Sequence, residues 1–458
     1  MLSPGSELVL VPEKPVAGGS MLARHEGRVV LVRGAIPGER LRIRVERVSR
    51  DLVHAVAIDI VEPHADRRPP AVDPDCGGNA FAHIAYTRQL ALKAEIVADA
   101  LARLARITVR QPISVAPSPE RGYRMRARFH VRGTRAGFYR EGTHELCDAA
   151  TSGQLQPGAI DAVQAVAREL DDPGADSAVA LGIELAENIA ADARAIHVEL
   201  RDDRFAARLE RLGEVDGLTG LSWSVASDPQ TQVVAGSPYV SDGLDIRPEP
   251  VSSGFGDGST EPTAALSSST RESRRSSKSD VGPVRLRRHV RAFFQGNRYL
   301  LSELVERVLS FVSAGPVIDL YAGVGLFAVA LASTRGDDVV AVEGDMISAN
   351  DLAANAASCG RPFAPYHLSV EAFLKKSRDL PSHTMIVDPP RTGLSRDAAA
   401  GIQRHQPRRL VYVSCDVATL ARDVKIFTQA GYRLVHVEAF DLFPNTAHVE
   451  TIAVLDGT

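Results

Sequence analysis

Long apolar runs are missing from this 458-residue sequence. No stretch of about 18 apolar residues occurs, so nothing in it reads as a membrane span. The opening residues, MLSPGSELVLVPEKPV, have neither the basic start nor the apolar core of a secretory leader. Cysteine is scarce: Cys76, Cys147, Cys359 and Cys415 are too few and too scattered for a disulfide framework. A reduced, cytoplasmic protein is the expectation. A strong charge of one sign is lacking too, since 53 Lys and Arg against 57 Asp and Glu leave −4. That balance does not by itself suggest a nucleic-acid partner. The length suggests two or three domains, and no internal repeat stands out.

Charge is nevertheless patterned. Seven arginines and no acid lie between Arg121 and Arg140. Nine Lys and Arg lie between Arg271 and Arg298, against only Glu272 and Asp280. Basic segments on a mildly acidic chain suggest a polyanion read at one face, and a solvated basic surface is the competing reading. Arg124, Arg126 and Arg128 alternate on an expected strand, so they would share a face suited to phosphates.

Four stretches divide the chain. Residues 1–62 hold short β-branched runs punctuated by Gly and Pro, the pattern of a small OB-like barrel. Residues 63–250 read as a mixed α+β domain. In it, Leu90, Ile96, Val97, Leu101 and Leu104 recur at helical spacing, which predicts a long amphipathic helix over 84–108, one that could pack on the domain after it. Residues 251–282 are serine-rich, with ten serines between 251 and 280. They carry too little apolar surface to order themselves, and read as an exposed insertion, either a tolerated one or one whose basic residues add RNA affinity. From 283 to 458, apolar strands alternate with helices, the pattern of a parallel sheet covered on both faces.

Chemistry concentrates in that last stretch. DLYAGVGLF at 319–327 ends a strand, turns at Gly323 and Gly325, and opens a helix. The next strand ends in Glu343, at the distance where an acid takes ribose hydroxyls. The third glycine that a dinucleotide's pyrophosphate needs is absent, so S-adenosylmethionine fits better than NAD. IVDPPRTGLS at 386–395 holds Asp388 at a rigid strand exit of two prolines. In LVYVSCDVATLARDV at 410–424, Cys415 follows the next strand. By position alone it is either a buried core residue or a nucleophile.

FFQGN, DLYAGVGLF, AVEGD, IVDPPRTGLS, VYVSCDVATLARDV and FPNTAHVE, in that order, resemble the motifs of the RNA uracil-C5 methyltransferases, which make 5-methyluridine in ribosomal and transfer RNA. The N-terminal strands resemble the TRAM module of that family. GGNAFAHIAYTRQLALK and YRMRARFHVRG resemble its middle region. The resemblance implies a Rossmann-like class I methyltransferase domain behind an OB-like barrel and an α+β domain. It implies Cys415 as nucleophile, Glu450 as proton acceptor, and Gln295, Tyr321, Gly323, Glu343 and Asp388 around S-adenosylmethionine. A monomer acting on structured RNA is expected, with 23S rRNA favoured over tRNA because the tRNA branch commonly lacks the barrel. Many members carry an iron–sulfur cluster on four cysteines. Here the corresponding run is Cys76-Gly77-Gly78-Asn79, Ser152 stands where a fourth ligand would, and Cys147 lies off the motif. No cluster and no other metal is expected, and Cys76 and Cys147 read as structural remnants. Two rival readings stay open: a cytosine-C5 RNA methyltransferase, and a non-catalytic RNA-binding or folding factor.

Overall fold

The computed structural model describes residues 2–171, 179–212, 215, 217–247, 283–377 and 383–457. The serine-rich stretch expected at 251–282 lies outside the described residues.

The first strands form one six-stranded sheet. Its order is Glu7–Leu10, Arg40–Val48, Leu52–Glu62, Arg28–Arg33, Met21–His25 and Lys14–Pro15. In Arg40–Val48 the period of two is plain: Leu41, Ile43 and Val45 are buried while Arg40, Arg42 and Arg44 are exposed. Phe81, Ile84 and Leu92 complete that sheet's core, so the segment after it is packed down on it.

The middle region builds a seven-stranded sheet with the helix Pro157–Glu169 packed against it. The expected helix over 84–108 is Tyr86–Ala100, continued by a π-helical turn at Leu101–Ala105 and stopped by Arg106 in the left-handed region. Ile96, Val97 and Leu101 are buried as the spacing predicts, but Leu104 is exposed. The wider π turn shifts the phase of the apolar stripe. Ile96, Val97, Ala100 and Leu101 share one core with Leu420, Val424 and Phe427 of the helix Val417–Gln429, which locks this helix onto the last domain.

That last domain is an eight-stranded sheet. Its order is Ala364–His367, Val339–Glu343, Val317–Leu320, Thr384–Val387, Arg409–Ser414, Glu450–Asp456, Arg433–Phe440 and Val115–Ala116. The first five run parallel. The sheet is not wholly parallel as expected: Glu450–Asp456 runs antiparallel to both neighbours. It follows Arg433–Phe440 through the loop 441–449 with no crossover element, and a hairpin can only return antiparallel.

Candidate active site

Four strands of this sheet deliver their carboxyl ends to one edge, the position where open α/β sheets bind ligands. Past Val317–Leu320, Tyr321 takes φ +61°, unusual for a residue with a side chain, and Gly323 and Gly325 follow at +57° and +96°. At Gly325 a Cβ would meet Leu352 Cδ1 at 2.8 Å, whereas at Gly323 it would meet nothing within 4 Å. Gly325 therefore serves the packing and Gly323 leaves an opening. The Glu343 carboxylate, from the end of Val339–Glu343, accepts the Gly323 N–H at 2.8 Å and the Asp345 N–H at 2.6 Å. Asp388, after Thr384–Val387, accepts from Gln295 Nε2 at 3.1 Å. Cys415 stands between Arg409–Ser414 and the helix Val417–Gln429, whose first turn is capped by Asp416 through the Ala418 and Thr419 N–H groups.

One cavity of about 670 Å³ gathers them: Gln295, Tyr321, Gly323, Glu343, Asp388, Cys415 and Glu450 all line it. Glu450 is 1% exposed and opens the closing strand opposite Phe440. Its Oε1 has no hydrogen-bond partner among the described residues. A buried carboxylate oxygen left open toward a cavity is a place for a substrate atom or its proton.

The electrostatics are those of crowded acids. Burial, then the neighbouring Asp388, pushes Glu450 well above the usual carboxylate range, with Arg391 pulling it back. Burial raises Asp388 to about 7, against the hydrogen bond from Gln295. Burial, then Asp388, also pushes the fully buried Asp319 well above the usual carboxylate range, although the Ala328 N–H donates to it. Burial, then Glu450 and Asp388, pushes the Cys415 thiol up to about 11. The Arg391 guanidinium works the other way, by charge and by hydrogen bonding to the sulfur.

Arg391 was not singled out from the sequence, although it directly follows the two prolines of the Asp388 exit. Its carbonyl is held by Thr419 Oγ1 at 3.2 Å, which ties that exit to the helix after Cys415. Arg291, Phe293 and Phe443 also line the cavity unforeseen. Phe293 could have been flagged because it opens the FFQGN motif, and the structure leaves it 60% exposed.

The three arginines expected to face RNA do not behave alike. The alternation holds, with Met125 and Ala127 buried between them and Phe129 buried after Arg128. Arg126 reaches the cavity wall while pairing with Glu184 at 3.2 Å. Arg128 is exposed and pairs with Glu199 at 2.6 Å. Arg124 precedes the strand Arg126–Arg132 and turns its donors inward, to Gln154 and to the Arg126 carbonyl.

The cysteines require a correction. Cys76 and Cys147 form a disulfide, where a fully reduced chain was expected. Cys76 bridges to Arg140 just past the strand Arg135–Tyr139, and Cys147 lies on the strand beside it, so the fold brings together residues 71 apart in sequence. Asn79 Nδ2 donates to the Ser152 carbonyl at 3.2 Å. The positions that would ligate a cluster are thus adjacent, but a disulfide, an amide and a hydroxyl do not fit a group that needs four thiolates.

A family model described as tRNA (Uracil-5-)-methyltransferase matches residues 373–457, the part that carries Asp388, Cys415 and Glu450. The tRNA (uracil-54, C5)-methyltransferase of Pyrococcus abyssi, solved in complex with S-adenosyl-L-homocysteine, matches with a TM-score of 0.71 at 22% identity. That match covers 98% of this chain and 99% of the other, so the class I methyltransferase fold and the domains before it are shared. An RNA methyltransferase of Streptomyces coelicolor is 31% identical over 96% of this chain and 91% of its own length. The 23S rRNA (uracil(1939)-C(5))-methyltransferase RlmD of Thiobacillus denitrificans is 30% identical over 96% of this chain and 97% of its own. Likeness of that extent runs through every domain described above and not only through the cavity, and on it the chain belongs to the RNA uracil-C5 methyltransferase family and is an enzyme of that class.

Proposed function

We propose that this enzyme uses S-adenosylmethionine to methylate C5 of a uridine in structured RNA, 23S rRNA before tRNA, through a transient bond between Cys415 and C6. The observation that carries the reading is the shared cavity. A thiol and a carboxylate with one unpartnered oxygen line the same space as a glycine opening and a strand-end acid.

The residues fit the cofactor. Glu343 spends one lone pair of each oxygen on backbone N–H groups and keeps the others for ribose hydroxyls. The space above Gly323 is open. Tyr321, Gln295 and Asp388 complete its surroundings. When bound, S-adenosylmethionine supplies an electrophilic methyl group on a sulfonium.

C5 of uracil is a weak nucleophile until C6 is attacked. The Cys415 thiolate forms a bond to C6, and the C5=C6 electrons move out to give an enolate with charge at C5. Once C5 carries the methyl group, Glu450 takes the C5 proton. The C–H electrons rebuild C5=C6, and the S–C6 bond breaks with its electrons returning to sulfur. Covalent catalysis divides one hard step into two easier ones, and Glu450 supplies the general base. The target base must leave its stack to enter, at a cost of a few kcal/mol, least in a loop. Arg126 at the cavity wall and Arg128 beyond it suit the flanking phosphates, and the N-terminal sheet adds a second RNA-binding surface.

The preference for 23S rRNA follows the name of a full-length relative, from Thiobacillus denitrificans, and not the N-terminal barrel, since the tRNA enzyme of Pyrococcus abyssi matches over 98% of this chain. The test uses tritiated S-adenosylmethionine with transcribed 23S rRNA and transcribed tRNA. Methylation of uridine C5 in the ribosomal transcript, lost in Cys415→Ser, is the expected result. Label in tRNA alone overturns the ribosomal preference. An active Cys415→Ser enzyme overturns the covalent mechanism.

A further inference from the structure

The helix Tyr86–Ala100 turns two polar residues toward its buried face. Gln89 and Lys93 stand one turn apart, and each is 0% exposed. Both act on the same target, the loop 441–449 that leads into Glu450. The Lys93 ammonium pairs with the Asp441 carboxylate and donates to the Phe443 carbonyl at 3.0 Å. Gln89 exchanges two hydrogen bonds with Asn445: its Nε2 donates to Asn445 Oδ1 at 3.0 Å, and its Oε1 accepts the Asn445 N–H at 2.9 Å. The Gln89 amide is itself fixed by donating to the Phe81 and Ile84 carbonyls.

The neighbouring segment adds to this grip. The Phe81 N–H donates to the Asn445 carbonyl at 2.8 Å, and Arg68 donates to Asn445 Oδ1 at 3.2 Å. Asn445 has φ +64°, a left-handed conformation that asparagine tolerates better than other residues with side chains. An apolar pair would seal this contact at least as stably as a buried ion pair. What Lys93 and Gln89 add is geometry, because each hydrogen bond fixes a particular atom of the loop. The loop carries Phe443, which lines the same cavity as Cys415, and it ends where Glu450 begins.

We infer that Gln89 and Lys93 are positioning residues for proton removal: through loop 441–449 they hold Phe443 as a cavity wall and Glu450 against the base bonded to Cys415. The inference rests on the reading of Glu450 as the general base. Cys415 is carried by a different strand end, so loosening the loop leaves the C6 bond free to form and slows its release. Methylated adduct then accumulates.

The test is a single turnover with tritiated S-adenosylmethionine and whichever transcript, 23S rRNA or tRNA, the wild-type enzyme methylates. Labelled protein–RNA species are counted on denaturing gels, with kcat and KM measured alongside. Gln89→Met, Asn445→Gly and the charge-free pair Lys93→Met with Asp441→Leu are compared with Glu450→Gln. Asn445→Gly keeps the left-handed backbone, so it tests the idea even if Gln89→Met fails to fold. Expected for the folded variants is a kcat at least about tenfold lower, on the scale of a displaced general base, with an unchanged KM for RNA and a labelled adduct absent from wild type. Activity lost only in proportion to folded protein, a change in KM alone, or unaltered turnover overturns the inference. If Glu450→Gln itself traps no adduct, the base assignment fails. If it does and the loop variants do not, only the positioning role fails.

Discussion

Replacing Arg391 by methionine tests the balance of charge around Cys415. In the free enzyme the thiol sits near 11, pushed up by burial, Glu450 and Asp388 and pulled down by Arg391. At pH 8 that leaves roughly one thiolate in a thousand, where an ordinary cysteine near 8.5 would have about one in four; the more basic thiolate is roughly tenfold more nucleophilic, so Cys415 should alkylate roughly twentyfold more slowly than an ordinary cysteine. Arg391→Met removes the downward pull and lowers the rate further. Arg391 is exposed, so the loss is screened, about three- to tenfold at low salt and less at high salt. Glu450→Gln has the opposite sign wherever the Glu450 carboxylate is charged, because its charge then no longer pushes the thiol up. The assay is iodoacetamide labelling from pH 7 to 11, with Cys415 and the second free cysteine, Cys359, resolved by peptide mass. A wild-type Cys415 that reacts at pH 8 like a free thiol, or an Arg391→Met enzyme that reacts as fast as wild type, refutes the reasoning.

Further outcomes follow from the same cavity. Asp388 has a folded pKa near 7 against an ordinary value near 4, so its charge costs the folded state nothing below about pH 4 and most above pH 7. Asp388→Asn should therefore melt higher than wild type at pH 8, with the gap closing toward pH 4, while losing affinity for S-adenosylmethionine. A gap that is constant with pH contradicts the shift. Gly323→Ala should cost roughly 1–2 kcal/mol for its positive φ, and calorimetry should show weaker S-adenosylmethionine binding, since the added Cβ enters open space. Gly325→Ala meets Leu352 as well, and should lose a further 1–3 kcal/mol, roughly, in chemical denaturation. Equal losses at the two glycines would undo the assignment of one to packing and the other to the ligand.

The catalytic sheet was legible because its parallel strands are covered on both faces. Thr384–Val387 is buried at every position, so it reads as an apolar run. Strand ends were legible for the same reason: where such a run stops, the next polar residue stands at the carboxyl edge, which located Glu343, Asp388 and Cys415. Strand direction was not legible. Glu450–Asp456 is buried nearly throughout, and burial leaves the same pattern whichever way the chain runs. Met21–His25 could not be read from β-branched runs, because MLARH has no β-branched residue to mark it.

The helix Tyr86–Ala100 shows where such reading stops. Apolar spacing found Ile96, Val97 and Leu101, because each of them is buried by virtue of its own side chain. Gln89 and Lys93 are buried just as deeply, but by virtue of partners 356 and 348 residues further along the chain. A polar side chain on an apolar face looks like a solvated edge until its partner is known, since only a partner makes its burial tolerable. Cys76 and Cys147 were misread for the same reason, each being interpretable only beside the other. Residues whose role lies in their own chemistry can thus be read from the text, and those whose role lies in a distant contact cannot. The groups proposed to react, Cys415 and Glu450, are of the first kind. The residues that hold Glu450 and its loop in place are of the second, and for that reason loop 441–449 is where the fold adds most to what the motifs imply.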